Sequence, residues 1–422
     1  MFKRTRRSIL IAILMAMAMM AIPALASAAS YVSNSAPVVP GGKSCAQPGF
    51  SKIQEAIDAG ASTVNVCSGT YTEQLAITKA VKLAAINGAG TATVVMPAAA
   101  VNSTSTCDTM GGLEQKDEIS VCTSGTVSII GLNVEAIIPT ASCAGQLYGI
   151  FVGEGGTLKV TNSAINGAST NVAGLKGCQY GVAVEVGNKT PAEVGHAVLS
   201  KVSVTGYQKN GPTVKSPGSS LTVTASTITG SGPNPDTAQN GIQISFGAVG
   251  KVKTSTISGN ECNAGPCGPL GVQAQAIGVL FYQAAPGSNV ASSTIKENDL
   301  GAYYASGSAT VPATPDVTLS KDVLTSNRYE GVLLEEGKAS LKADTINGSG
   351  RVGIDLLQAA YQESASESSS TGTKISGQSE ASIKVESDKE PGDIAGIFKF
   401  SSGTAATPVL INENPEKFEV IF

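Results

Sequence analysis

Ser226-Thr-Ile-Thr-Gly230, Asn240-Gly-Ile-Gln-Ile-Ser245 and Ser255-Thr-Ile-Ser-Gly259 follow one another along the chain, and their pattern decides the fold. A polar-x-apolar triplet opens the first and third stretches. It recurs as Ser163-Ala164-Ile165, Val202-Ser203-Val204, Ser293-Thr294-Ile295, Asp322-Val323-Leu324 and Asp344-Thr345-Ile346. From Ile165 to Ile346 the apolar third residues are spaced 39, 24, 29, 38, 29 and 22 apart. A shortest spacing near 22 with longer outliers means one coil of constant size carrying connections of variable length. After the triplet comes Gly167, Gly206, Gly230, Gly259 or Gly348, or else Asn260, Asn298 or Asn327 one residue later. Gly and Asn tolerate a left-handed backbone, so a turn is expected at these places.

The middle stretch belongs to a second column, with Tyr148-Gly149-Ile150, Tyr180-Gly181-Val182, Asn210-Gly211, Leu300-Gly301, Glu330-Gly331-Val332 and Val352-Gly353-Ile354. After each Gly the chain alternates, which marks a short strand with one face buried. Several short strands per coil, stacked coil on coil, make a solenoid with a continuous core. Upstream, Ser51-Lys-Ile-Gln54 fits a capping box, and Ile53, Ala56 and Ile57 give a short helix one apolar face. Strands are expected at 63–67, 74–78 and 81–85, and a last coil from 381–385 and 394–400.

Composition narrows the function. The 422 residues include 48 Gly, one His, no Trp and 14% charged residues. His196 alone cannot build a metal site that needs two histidines. Lys3, Arg4, Arg6 and Arg7 precede an apolar run from Ile9 to Ala21, and Ala26-Ser27-Ala28 ends a signal-peptide pattern. Cleavage after Ala28 removes four of 28 basic residues and no acid, leaving 24 against 32, a formal charge of −8. Only Arg328 and Arg351 then remain as arginines, so nucleic-acid binding through a basic face is excluded. No later segment reaches membrane length, so a secreted product is expected, extracellular or periplasmic, with no membrane partner after cleavage. Eight cysteines (Cys45, Cys67, Cys107, Cys122, Cys143, Cys178, Cys262 and Cys267) in an exported chain favour disulfides. They permit 105 pairings, of which the sequential set is the simplest.

The opening Gly49-Phe50-Ser-Lys-Ile53-Gln54-Glu-Ala-Ile57, with Val64-Asn-Val-Cys-Ser-Gly69-Thr70-Tyr71-Thr-Glu73 and Ile77-Thr-Lys-Ala-Val81-Lys-Leu83, resembles the start of right-handed parallel β-helix proteins. These form the pectin-lyase-like superfamily. The resemblance implies an all-β, single-stranded right-handed parallel β-helix with a short N-terminal capping helix. Its expected divisions are a signal peptide (1–28), a flexible N-terminus (29–44), an N-terminal cap and first coils (45–96), coils (97–358), a Ser-rich loop (359–374), and a last coil with C-terminal cap (375–422). It also implies a polysaccharide partner. The signatures of the polygalacturonase-like hydrolases (N-T-D, D-D, G-H-G, R-I-K) and of the pectate-lyase-like enzymes (W-x-D-H, R-x-P-x-x-R) do not occur.

Three functions therefore stand: a polysaccharide-binding β-helix protein, a divergent lyase, hydrolase or uronate epimerase, and a structural surface protein or adhesin. The catalytic candidates are Arg328, Glu330, Glu335 and Asp355, because β-elimination or epimerisation needs a base and a cation to neutralise the substrate carboxylate. Taking positions two and four after the Gly as outward puts Asp355 and Tyr303 in one exposed column. The same rule puts Glu185, Tyr282 and Glu335 in another. Aligned carboxylates could hold Ca2+ or act as an acid/base pair, although no cofactor is required; a solvated charged face is the alternative. Tyr282, Tyr303 and Glu185 are the candidates for substrate binding. Tyr148 and Tyr180, in the position before the Gly, could instead form an aromatic ladder. His196 has no partner within a motif and reads as a structural or surface residue. Gly348-Ser-Gly-Arg-Val-Gly353 matches a dinucleotide fingerprint by accident, since its glycines belong to the repeat.

Overall fold

The computed structural model describes residues 29–101, 107, 115–140, 142–189, 193–263, 275–306, 316–335, 337–358, 366–387, 396–406, 408–412 and 418–422. Each coil crosses three parallel sheets in turn. One coil runs through Asn240–Ser245 in the first sheet, Val249–Lys253 in the second and Thr256–Cys262 in the third, and Ile277–Tyr282 then returns to the first. Among the described residues the sheets contain 12, 14 and 12 strands, each strand beside its counterparts in the coils before and after. The chain thus winds into a right-handed parallel β-helix, the hand that parallel crossovers strongly favour.

The triplet is the inner column of the third sheet. Ile228 pairs with Ile257, Ile257 with Ile295, Ile295 with Leu324, and Leu324 with Ile346. All five are fully buried, and each contributes about 1.5–3 kcal/mol by leaving water. The polar first residue of the triplet forms its own ladder. The amide of Ser226 donates to Ser255 Oγ at 3.2 Å, that of Ser255 to Ser293 Oγ at 3.2 Å, that of Ser293 to Asp322 Oδ1 at 2.7 Å, and that of Asp322 to Asp344 Oδ1 at 2.8 Å. Just before it, at the corner from second to third sheet, ordinary residues hold left-handed backbones: Ala225 (φ 50°), Thr254 (52°), Ser292 (52°) and Lys321 (59°). Their amides donate to the next coil, as from Thr254 to Ala291 O at 3.0 Å, and this register holds the strained conformation.

The asparagines behave differently from expectation. Left-handed backbone falls on the residue before each one, at Gly259 (φ 72°), Glu297 (55°) and Ser326 (55°). Asn260, Asn298 and Asn327 are fully buried. Asn260 Nδ2 donates to Asn298 Oδ1 at 2.8 Å, and Asn298 Nδ2 to Asn327 Oδ1 at 3.1 Å. A side-chain amide both donates and accepts, so identical residues propagate one hydrogen-bond chain from coil to coil. The second Gly column is needed for close approach. A Cβ on Gly241 would lie 2.5 Å from Ile257 Cγ2 and 2.6 Å from the oxygen of Gly278.

The N-terminal helix forms at Ile53–Asp58, and Ile53, Ala56 and Ile57 are buried in the core. The capping box does not form. Lys52 occupies the N-cap without a side-chain bond, and the carboxylate of Glu73 accepts the amides of Ile53 (2.8 Å) and Gln54 (3.0 Å) from the following coil. Gln54 instead turns its side chain to the amide of Ala76, 2.9 Å away. The Glu73 carboxylate, ionic and bidentate, satisfies two free amides of the first turn and so replaces the local cap.

Sequential disulfides join Cys45 to Cys67, Cys107 to Cys122 and Cys143 to Cys178. Cys262 is also disulfide-bonded, and its expected partner Cys267 lies outside the described residues, as do residues 1–28 of the signal-peptide pattern. Two expected boundaries change. Ser30–Val32, within the segment expected to be flexible, is a strand paired with residues 64–66. Ser366–Thr371, within the expected Ser-rich loop, is a second-sheet strand. Serine suits neither a core nor a strong strand by composition, yet Ser368 and Ser370 are buried because the coils on either side impose the register.

Candidate functional site

Register sorts the outward side chains of the first sheet into columns. The column two residues after the Gly position runs Phe151, Glu185, Thr213, Gln243, Leu280, Tyr303, Leu333, Asp355, Lys384. The next outward column runs Lys215, Ser245, Tyr282, Ala305, Glu335, Leu357. Glu185 thus joins the column of Tyr303 and Asp355, not that of Tyr282. The expectation failed because Ile150 pairs with Val184, so Ala183 stands in the repeat's Gly position, and Gly181 is a left-handed turn residue (φ 91°) ahead of the strand. Tyr148 pairs with Val182 for the same reason, so Tyr148 and Tyr180 form no ladder. Tyr148 stacks on Phe151 instead, with centroids 5.5 Å apart.

Outward does not mean exposed here. Glu185, Glu330 and Asp355 are fully buried, and only Tyr282, at 39%, is exposed among the outward candidates. Neighbours in a column lie one strand spacing apart, about 4.8 Å, so large side chains shield one another. Ile277, Leu300, Leu333 and Leu357, with Leu280, Tyr303 and Tyr329 packed on them, form an outer apolar cluster on this face. Within it Tyr303 donates its hydroxyl proton to Glu335 Oε2.

The arginines divide between two jobs. Arg328 Nη2 lies 2.9 Å from Asp299 Oδ1 and also donates to the oxygen of Cys262. Asp299 Oδ2 accepts the amides of Cys262 (3.0 Å) and Ala276 (2.9 Å). This pair therefore ties together the two ends of the segment between Cys262 and Ala276. Arg351 lies 3.4 Å from Glu330 Oε1 and 3.0 Å from Glu380 Oε2, and Lys384 lies 2.9 Å from Glu380 Oε1. Burial pushes the Glu380 carboxyl up, but Lys384 and Arg351 together hold it below its ordinary value. Two of the four catalytic candidates, Glu330 and Asp355, therefore lie on the face that carries Arg351. Arg328 is committed elsewhere, and Glu335 pairs with Tyr303.

A polar region follows Phe151 on the same face. Lys215 Nζ lies 2.8 Å from Glu185 Oε1. Burial raises the Glu185 carboxyl and Lys215 draws it back. Glu185 Oε2 and, one coil on, Thr213 Oγ1 are buried and have no hydrogen-bond partner among the described residues. Beside them Asn210 Nδ2 donates to Gln243 Oε1 at 2.8 Å, Asn240 Nδ2 to Asn210 Oδ1 at 3.0 Å, and Gln243 Nε2 to Ser245 Oγ at 3.1 Å. Tyr282 meets Phe246 edge-on at 5.4 Å, and Lys189 lies 4.1 Å from the Phe246 centroid. Lys215, the partner of Glu185, was legible as the fourth residue after Gly211. Thr213 gave no sequence signal, because an uncharged residue in an alternating strand carries none.

His196 lies on the second sheet, where its Nδ1 is 2.9 Å from Ser220 Oγ. Glu118 is another buried acid; it lies between Asp117 and Ile119, which pair with Tyr148 and Ile150 on either side of Gly149. Burial, and then Glu73, push it up to about 9. Among the described residues no group of three or more His, Cys, Asp or Glu side chains could hold a metal ion, and no helix is long and apolar enough to cross a membrane.

Among solved structures the chain is similar to the A-module of Azotobacter vinelandii mannuronan C-5 epimerase AlgE4, at 14% identity and a TM-score of 0.50, over 87% of this chain and 94% of that one. It is similar to a double mutant of the periplasmic alginate epimerase AlgG at 10% identity and a TM-score of 0.50, over 88% and 82%. The third is the catalytic domain of a GH87 α-1,3-glucanase in complex with nigerose, at 10% identity and a TM-score of 0.50, over 88% and 66%. At these identities the likeness shows the fold alone. No curated protein matches the chain in sequence. The family model described as right handed beta helix region matches residues 148–364, and with the coil architecture above it shows that the chain belongs to the right-handed β-helix family.

Proposed function

We propose that this is an exported protein that binds an extracellular or cell-envelope polysaccharide along the outer face of its first sheet, between Glu185 and Tyr282. The observation that carries the reading is the pair of buried polar atoms, Glu185 Oε2 and Thr213 Oγ1, which lack a partner among the described residues and stack on successive coils of that face. A buried polar atom without a partner costs about 1–3 kcal/mol, and such costs are retained where a ligand supplies the missing bond. Half-buried Lys215 and Gln243, with exposed Tyr282, mark where the face meets solvent. The fold likeness to epimerase and glucanase structures supports a glycan as ligand, and the disulfides support export.

A catalytic reading of the same face rests on the Glu185–Lys215 pair, a carboxyl and an amine 2.8 Å apart on adjacent coils. Affinity electrophoresis of mature protein through gels containing neutral or uronate polysaccharides tests binding. Unsaturated-product absorbance and reducing ends, followed with and without calcium, test turnover. Wild type should be retarded, and Glu185→Gln and Thr213→Val should migrate freely. Thr213→Val should also keep or raise the unfolding midpoint, because it removes an orphaned hydroxyl. Equal retardation of both variants and wild type would remove this face as the binding site.

A further inference from the structure

We infer that a second site, a notch at the corner between the third and first sheets, binds a short neutral oligosaccharide. The notch arises from connection length. Between Ser203–Thr205 and Asn210–Lys215 the chain turns the corner with residues 206–209 alone. The coil before it uses residues 170–181 for the same corner. The coil after it carries an extended strand, Thr227–Asn234, and then residues 235–239. A short corner between two long ones leaves a gap about one coil wide, and the cavity there measures about 530 Å³. That lies within the roughly 300–1,000 Å³ of small-molecule sites.

Both floor and walls are held in place. Gln208 accepts the amide of Thr170 (3.2 Å) and donates to the oxygens of Leu175 (2.9 Å) and Cys178 (3.0 Å). Gln239 accepts the amide and hydroxyl of Ser231, each at 2.9 Å, and donates to the oxygen of Tyr207 at 2.6 Å. Thr237 Oγ1 donates to the oxygen of Lys176 at 3.1 Å and so ties the two walls. Preorganised walls lower the ordering cost of binding. The Cys143–Cys178 disulfide fixes one of those walls to the preceding coil.

The lining selects the ligand chemistry. Ile137, 51% exposed, together with Pro233 and Pro235, offers an apolar surface at the mouth. Asn171, Lys176 and Asp236 offer amide, ammonium and carboxylate groups at the rim. Apolar patches beside convergent polar groups fit a sugar ring, whose C–H face and hydroxyl edge differ in the same way. One cation against one anion gives no net attraction for a uronate, whose carboxylate would also face Asp236. A neutral glycan follows. The choice of a glycan rests on the polysaccharide reading above, but the notch shares no residue with the first-sheet face.

Calorimetric titration of the full mature protein with neutral trisaccharides (cellotriose, nigerotriose and mannotriose) and with trigalacturonate tests the inference. At least one neutral trisaccharide should bind with a dissociation constant below about 1 mM, and trigalacturonate at least tenfold more weakly. The double variant Asn171→Ala/Asp236→Ala changes only exposed side chains. It should keep the wild-type unfolding midpoint and weaken the neutral ligand tenfold or more, while Glu185→Gln should leave that binding unchanged. Loss of polymer retention by Glu185→Gln with trisaccharide binding intact would separate the two sites. Absence of neutral binding to wild type, undiminished binding by the double variant, or equal binding of trigalacturonate would each overturn the inference.

Discussion

Replacing Asp322 and Asp344 by serine should make the protein much less sensitive to pH. Both residues occupy the ladder that Ser226, Ser255 and Ser293 begin, and both are about 1% exposed. Burial pushes the Asp322 carboxyl up to about 6 and the Asp344 carboxyl up to about 7, the latter raised further by its neighbour Asp322. Backbone amides donate to both and oppose the rise, as from Lys342 to Asp344 Oδ2 at 3.0 Å, but they do not cancel it. A carboxyl whose folded pKa lies above its unfolded value of about 3.9 stabilises the fold below that value, and this stability is lost as pH rises through the folded pKa. Here the loss begins near pH 4 and is complete near pH 7. At about 1.4 kcal/mol per pH unit, about one unit from Asp322 and about two from Asp344 remain above pH 5, so the loss between pH 5 and 8 is about 4 kcal/mol. Serine keeps the ladder, since Ser255 Oγ accepts the Ser226 amide and donates to the oxygen of Lys253 at 2.9 Å. Urea unfolding followed by far-ultraviolet circular dichroism at pH 5, 6, 7 and 8 suits a chain without Trp. Wild type should lose about 4 kcal/mol more than the double-serine variant across that range. Parallel losses, within about 1 kcal/mol, would refute the assignment of the pH dependence to this pair.

Three further outcomes follow from the same coordinates. Asn298→Ala removes bonds to Asn327 (3.1 Å), Asn260 (2.8 Å) and the oxygen of Lys296 (2.9 Å), and should cost about 3–4 kcal/mol in urea unfolding. Gly241→Ala drives a methyl into Ile257 and the backbone of Gly278; the expected loss is about 2 kcal/mol, read as a lower thermal midpoint. Arg351→Met leaves buried Glu330 without this cation and should cost about 3–5 kcal/mol at pH 7; adding Glu330→Gln should recover most of it, and no recovery would show that Arg351 acts through Glu380 instead.

The candidate site was only partly legible. Glu185 and Asp355 were found as outward residues, because strand alternation is local and survives any arrangement of coils. Their burial was not legible, since it depends on what the neighbouring coils place above and below them. The column shared by Glu185 and Thr213 was misassigned because Ala183 replaces the marker Gly. Asp299 and Glu380, the carboxylates that engage Arg328 and Arg351, sit in connections where no period operates. The notch was likewise hidden, although the short spacing of 24 between Val204 and Ile228 lies at its base.

By itself the sequence determined the coil: the apolar third residue of the triplet, the Gly column and the variable spacing each follow from steric and burial requirements that act within one repeat. It left the disulfide partners open among 105 pairings, and the coils decided them: the three pairs seen in full are the sequential ones, because residues close in the chain meet within neighbouring coils. Tertiary structure decided whether those positions carry chemistry. Ion pairing, orphaned polar atoms and cavities depend on which coils become neighbours and on how long each connection is, and both are set between repeats.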